Sequence, residues 1–206
     1  MLRAAGALAL LLLWLAPRPA GSQEPARNPA YGVVTGPVGA RQLRKRSDDS
    51  ERHAGFLVGA WVDVPTPASW LTVTAEAAAV RRGGEYHQGP DLPVAAVDVD
   101  YLAASVFPSL RLAVGPLAFR AYAGPSLDIH LRSTASRSLE QTFPSPSTQV
   151  LAALAGVGLE VVAGRAVFRL EARRHEQVSS AFTEIVDGLR HRSTELLFRL
   201  GMRPRR

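Results

Sequence analysis

The segment VFRLEARRHEQ, residues 167–177, sets ionisable side chains two residues apart. Arg169, Glu171, Arg173 and His175 share one parity, and Phe168, Leu170 and Ala172 share the other. Residues of these types could do three kinds of chemistry. Glu171 with Glu160 of the preceding segment could supply a pair of carboxylates for general acid–base work. His175 with His130 could supply nitrogens to a metal. Arginines interleaved with glutamates could instead form an ion-pair network with no chemistry of its own. The sequence favours the network, because Arg169 and Arg173 flank Glu171 on its own face. None of the five histidines (His53, His87, His130, His175 and His191) stands at a metal-ligand spacing such as H-x-x-x-H. No G-x-S-x-G elbow, Walker loop or dinucleotide fingerprint occurs, and Gly83-Gly84 and Gly156-x-Gly158 read as a loop start and a site of close strand packing. The expectation is no catalytic, metal-binding or cofactor-binding residue and no cofactor, with His130 and His175 as hydrogen-bonded histidines.

The elements that position these side chains are strands. Two-residue alternation recurs in eight segments: Tyr31–Leu43, Ala54–Val64, Trp70–Arg81, Val97–Leu112, Leu117–Arg132, Thr148–Val162, Ala166–Gln177 and Arg192–Met202. All exceed the roughly 5–6 residues usual for soluble strands and suit a tilted strand crossing a bilayer. The stretch VLAALAGVGLEVVAG (Val150–Gly164) is too short for a membrane helix and carries Glu160. As a strand it puts Leu151, Ala153, Ala155, Val157, Leu159 and Val161 on one face.

The connections alternate strictly between long and short. Arg44–His53, Arg82–Ala96, Ser133–Ser147 and Val178–His191 are long and polar, whereas Pro65–Ser69, Ala113–Pro116 and Ala163–Arg165 are short. An up-and-down barrel with both termini on one side produces this order, and transmembrane barrels pair short periplasmic turns with longer external loops. The fold class expected is all-β, an eight-stranded antiparallel up-and-down transmembrane β-barrel.

Alternation alone leaves two choices, because a soluble ligand-binding barrel places its apolar face inward. Two features favour apolar outward. The polar face mixes both signs (Glu76, Arg120, Glu160, Arg169, Glu171, Arg173, Glu195 and Arg199), and its bases are arginines, which suit desolvated carboxylate pairs; the chain has one lysine, Lys45. Trp61 and Trp70 flank the first short turn, where an aromatic girdle is expected. The interior of an eight-stranded barrel is just wide enough for side chains to fill. Those eight charged residues are therefore expected to form a salt-bridge plug without a diffusion channel.

Met1-Leu2-Arg3, the apolar run from Ala4 to Ala16 and the small residues Ala20-Gly21-Ser22 read as a cleaved export signal. Residues 1–22 are thus expected to be a signal peptide and residues 23–206 one barrel domain. The absence of cysteine fits a bacterial cell envelope better than a disulfide-stapled secreted protein. The formal charge of +6 carries no nucleic-acid signature, since the arginines are spread along the chain without interleaved aromatics.

Several segments resemble PorT-like outer-membrane β-barrel proteins. GFLVGAWVDVPTPASWLTVTAEAAAVRRGG (Gly55–Gly84) is similar to the family's second and third strands, with Glu76 as the inward glutamate. VDYLAASVFPSLRL (Val99–Leu112) is similar to its Tyr-Leu-x-x-Pro strand, and YAGPSL (Tyr122–Leu127) to its Ala-Gly-Pro segment. LAGVGLEV followed by FRLEARR (Phe168–Arg174) resembles its Gly-x-Gly-x-Glu and Leu-Glu-x-Arg-Tyr pair, Arg174 standing at the tyrosine. The resemblance spans Tyr31 to Met202. It implies an eight-stranded outer-membrane barrel without common catalytic residues.

The function expected is that of a small, monomeric, non-enzymatic outer-membrane barrel whose external loops bind or adhere. Its expected partners are the outer-membrane bilayer and the barrel-assembly machinery, with no nucleic acid; the loops' ligand or protein partner is open. Two alternatives remain at this point: a soluble periplasmic lipocalin-like barrel holding a small apolar ligand, and an outer-membrane hydrolase with a serine and a histidine at the rim.

Overall fold

The computed structural model describes residues 28–43, 50–51, 53–86, 95–115, 117–135, 148–179 and 190–204. The export-signal reading of residues 1–22 and most of the long connections lie outside the described residues. The elements are β1 (Ala30–Leu43), β2 (Ser50–Glu51), β3 (His53–Pro65), β4 (Leu71–Tyr86), β5 (Ala95–Val114), β6 (Leu117–Ala135), β7 (Gln149–Ala163), β8 (Ala166–Gln177) and β9 (Arg190–Met202). Eight are long, and they coincide with the eight segments of the sequence to within a few residues. The two-residue β2 falls in the first long connection and pairs with Glu85 and Tyr86 at the end of β4.

Every long strand pairs antiparallel with its neighbours in the chain, and β1 pairs with β9, which closes the barrel. The ring is staggered. A circuit from Gly32 passes Trp61, Glu76, Ser105, Ser126, Ala152 and Gln177; one step beyond the Glu176–Arg192 pair it meets His191, which returns it to β1 at Gln42, ten residues further along the same strand. A stagger of that size in eight strands corresponds to a tilt of about 40°. The β5–β6 ladder is interrupted between the pairs Ser105–Ser126 and Ser109–Tyr122. Pro108 and Pro125 fall inside that gap, and neither can donate a backbone hydrogen bond.

The short turns gather at one end with Ala30 and Met202. Gly164 closes the Ala163–Ala166 turn at a φ of 59°, a left-handed conformation that glycine adopts at little cost. The first short turn is tied by the Thr66 hydroxyl, which donates to the carbonyls of Ala68 (3.1 Å) and Leu71 (2.8 Å).

The faces are resolved as apolar outward. Leu151, Val157, Leu170 and Phe198 are 59, 61, 43 and 50% exposed, whereas Glu160, Glu171, Glu195 and Arg199 are at most 2% exposed. This is the reverse of a soluble ligand-binding barrel, whose core would hold the leucines. An apolar wall that encircles the molecule is far larger than the patches soluble proteins expose. Tyr31, Trp70, Phe119 and Phe168 all point outward near the short-turn end, as a girdle would.

Two expectations are corrected. Trp61 does not belong to the girdle: it is 3% exposed and donates through Nε1 to the Val33 carbonyl at 3.0 Å inside the lumen. It shares parity with Leu57 and Asp63, both inward. The space for its ring comes from Gly201 on β9, where a Cβ atom would lie 2.5 Å from Trp61 Cζ2. Arg82, expected to open a long loop, continues β4 and is fully buried.

Candidate functional site

The candidate site is the polar lumen, which contains two ion-pair clusters stacked along the barrel axis. The lower cluster, towards the short turns, joins Asp63 (β3), Arg120 (β6), Glu160 (β7) and Arg169 (β8). Arg120 Nη1 donates to Asp63 Oδ2 (2.8 Å) and Glu160 Oε2 (3.0 Å). Its other nitrogens donate to the hydroxyls of Ser109 and Thr72. Arg169 Nε donates to Glu160 Oε2 at 2.7 Å, and its Nη2 donates to Asp63. The Arg169 guanidinium lies 4.2 Å from the centroid of the Trp61 ring, a cation–π stack between two buried side chains. Arg111 reaches in from the mouth to Glu160 Oε1 at 2.8 Å.

The upper cluster is a string of alternating sign that crosses the lumen. Arg199 Nε donates to Glu171 (2.9 Å), and its Nη2 donates to Glu76. Arg173 bridges Glu76 (2.7 Å) and Glu195 (2.6 Å), and Arg82 bridges Glu195 (3.2 Å) and Asp128 (2.7 Å). Tyr122 donates its hydroxyl to Glu171 at 2.8 Å, and Ser193 donates to Glu195 at 3.0 Å. All seven charged groups are buried. Nearly every arginine in the two clusters is shared by two carboxylates, which answers the desolvation that burial imposes on a charge.

The eight charged residues named from the sequence all face this lumen. They do not, however, pair along their own strands. Glu160 and Glu171, proposed as a carboxylate pair, belong to different clusters, each neutralised by arginine: Glu160 by Arg120 and Arg169, Glu171 by Arg199. Their environment suits structure better than proton transfer. Asp63 and Arg82 were missed, although the signal was there: Asp63 shares parity with Leu57, and Arg82 with Glu76 and Val80. Extending the alternation one step past Arg81 would have found Arg82.

The glycines of the Gly156-x-Gly158-x-Glu160 run now have a physical reason. All three positions face inward. A Cβ at Gly156 would lie 2.5 Å from the Tyr122 ring, and one at Gly158 would lie 2.6 Å from Glu171 Cγ. The missing side chains make room for Glu171, which accepts from Arg199, and for Tyr122, which donates to Glu171.

The four described histidines, His53, His130, His175 and His191, fall on the lumen-facing parity of their strands; His53 pairs with Ala40 and His130 with Tyr101, both inward. His175 is buried with Nε2 3.4 Å from Asp128 Oδ1, and Tyr101 stands edge-on to both His130 and His191. Among the described residues, no group of three or more His, Cys, Asp or Glu side chains could hold a metal ion. Ser126 and His175 each approach Asp128 Oδ1, so the carboxylate lies between them. A hydrolytic triad needs the histidine in the middle. At the rim, His130 Nε2 lies 2.7 Å from Ser133 Oγ; Asp100, which approaches the same region, is held in a two-point pair by Arg81.

No family model matches the chain, and no curated protein matches it in sequence. Solved structures do match its fold. The outer membrane protein OprG from Pseudomonas aeruginosa aligns with a TM-score of 0.58 at 10% identity, over 87% of this chain and 97% of that one. Neisserial surface protein A (NspA) aligns with a TM-score of 0.53 at 14% identity, over 85% and 97%. The chain thus has the closed eight-stranded antiparallel barrel fold found in these outer-membrane proteins.

Proposed function

We propose that the chain is an integral outer-membrane protein, exported by its N-terminal segment, whose barrel is a closed and rigid base for the long polar loops, and that those loops are its binding or adhesive surface. The observation that carries this reading is the combination of an apolar outer wall with a lumen occupied by paired charges. A wall of this kind needs lipid around it. A lumen crossed by arginines and carboxylates that are hydrogen-bonded to one another offers a permeating ion no ready path. What remains accessible is the set of loops at the rim. Kinship with PorT-like barrels belongs to this proposal, and it is supported by the order of the motifs and by the inward place of Glu76, Glu160 and Glu171.

The test is reconstitution. The purified protein should partition into vesicles, run faster on a gel before boiling than after, and give no steady conductance in a planar bilayer. Stable open-channel currents would overturn the closed lumen, and solubility without detergent would overturn the membrane reading.

One observation favours a second reading. The His130–Ser133 contact has the length a serine hydrolase needs between base and nucleophile. Turnover of a lipid ester that Ser133→Ala abolishes would establish this reading in place of the non-enzymatic one.

A further inference from the structure

The lipid-facing wall is uneven in height. On β7 the outward column stays apolar over seven positions, from Ala163 to Leu151, whereas on β8 it ends after four, at Ala172. Arg174 occupies the next outward position on β8, in register with Ala155 of β7 and Thr194 of β9. With the strands tilted by about 40°, Leu151 stands about 7 Å above Arg174 along the barrel axis. A guanidinium whose side chain is 58% exposed therefore lies below the top of the apolar band and faces outward. Glu176 lies 3.5 Å from it but is 2.8 Å from Arg192, so two cations share one carboxylate. Arg174 is thus held only at long range by its own-strand carboxylate and keeps donors turned outward.

A groove of about 830 Å³ begins beneath this charge. Its floor is made of small side chains, Ala121, Ala123 and Ala155, and Val157 and Pro108 also line it. Arg174 and Thr194 lie at the upper end. The groove sits on the interrupted β5–β6 ladder and extends across β7. An apolar channel that starts at an arginine, whose long side chain can reach up from beneath the rim towards lipid headgroups, is complementary to one kind of molecule.

We infer that this groove docks a phosphate-bearing lipid of the external leaflet, with the phosphate on Arg174 and an acyl chain along the alanine floor. The inference rests on the reading of the chain as a membrane-spanning barrel with external long loops. Guanidinium binds phosphate through two parallel donors, and the low dielectric strengthens that contact. Thr194 adds a hydroxyl beside it. A phosphate monoester brings no cation of its own against Arg174, whereas a zwitterionic headgroup does, so the site prefers the monoester.

The chain contains no cysteine, so single labelling sites can be introduced cleanly. A bimane label at Leu159→Cys, next to Val157, reports on the groove, and one at Val64→Cys reports on the opposite wall. Each labelled protein is folded into phosphatidylcholine vesicles. These contain an equal mole fraction of either dibrominated phosphatidic acid or dibrominated phosphatidylcholine, whose bromines quench the label. At position 159 the phosphatidic acid should be preferred about fivefold, the value expected of one basic residue near a membrane surface. Position 64 should show no preference, and Arg174→Gln should reduce position 159 to the same level. Equal quenching by both lipids at 159, or a preference that survives Arg174→Gln, overturns the docking site. Quenching at neither position by either lipid overturns the membrane-spanning reading itself.

Discussion

Arg173 should be the residue whose loss the lumen tolerates least. It bridges Glu76 and Glu195 at 2.7 and 2.6 Å and joins the two halves of the upper string. That string contains four carboxylates (Glu76, Asp128, Glu171 and Glu195) and three arginines (Arg82, Arg173 and Arg199). With histidine counted as neutral, it carries one negative charge in excess. Arg173→Met preserves length and removes the cation, which leaves four carboxylates against two arginines, all out of water. Breaking a buried pair in this way costs about 3–5 kcal/mol. Glu76→Gln acts in the opposite direction. It leaves three carboxylates against three arginines and keeps an acceptor oxygen for Arg173, so its cost should be nearer the 1–3 kcal/mol of a weakened charge-assisted hydrogen bond. The two variants therefore separate charge balance from simple loss of contact. The assay is reversible urea unfolding of the protein in lipid vesicles, followed by tryptophan fluorescence; Trp61 sits against Arg169 in the lumen and senses its opening. If Glu76→Gln proved as destabilising as Arg173→Met, or if Arg173→Met left the midpoint unchanged, the charge-balance argument would be wrong.

Three further outcomes follow from the same geometry. Gly201→Val should prevent folding into vesicles, because the new Cβ would lie 2.5 Å from the Trp61 ring and 2.6 Å from the Tyr31 carbonyl oxygen; a gel-mobility assay of folding yield would detect this. Val157→Arg, near mid-height on the lipid face, should cost about 2–4 kcal/mol in vesicle-based unfolding, and Leu151→Arg near the upper rim about 0–1 kcal/mol. Equal costs at the two depths would contradict the assigned band. Replacement of the Arg81–Asp100 pair, which lies exposed at the outer rim, should leave the unfolding midpoint unchanged in the same assay, and a clear shift would contradict its solvent-screened character.

The lipid-facing and lumen-facing sets follow from one property of a strand, the alternation of side chains every two residues. This is why the sequence alone located eight strands, and why Glu76, Arg120, Glu160, Arg169, Glu171, Arg173, Glu195 and Arg199 could be assigned to one interior. Loop lengths added the up-and-down order, since they record which strand ends are adjacent. The largest departure from the expected boundaries is where polar residues continue a strand beyond the apolar band, as at Arg82. There the local pattern looks like a loop, and only pairing with β5 keeps the chain extended.

Partner identity was not legible. Asp63 meets Arg169 across 106 positions of sequence, and Arg173 meets Glu76 across 97. Which charges face one another depends on the stagger accumulated over the whole ring, and no single segment encodes it. The same holds for Trp61, whose parity pointed inward but whose place beside the first short turn suggested the girdle; the gap at Gly201, on a strand far away in sequence, decided between them. Local periodicity, then, determined what each strand shows to lipid and to lumen. The closed, tilted ring decided which residues meet inside it, because closure fixes all eight registers at once.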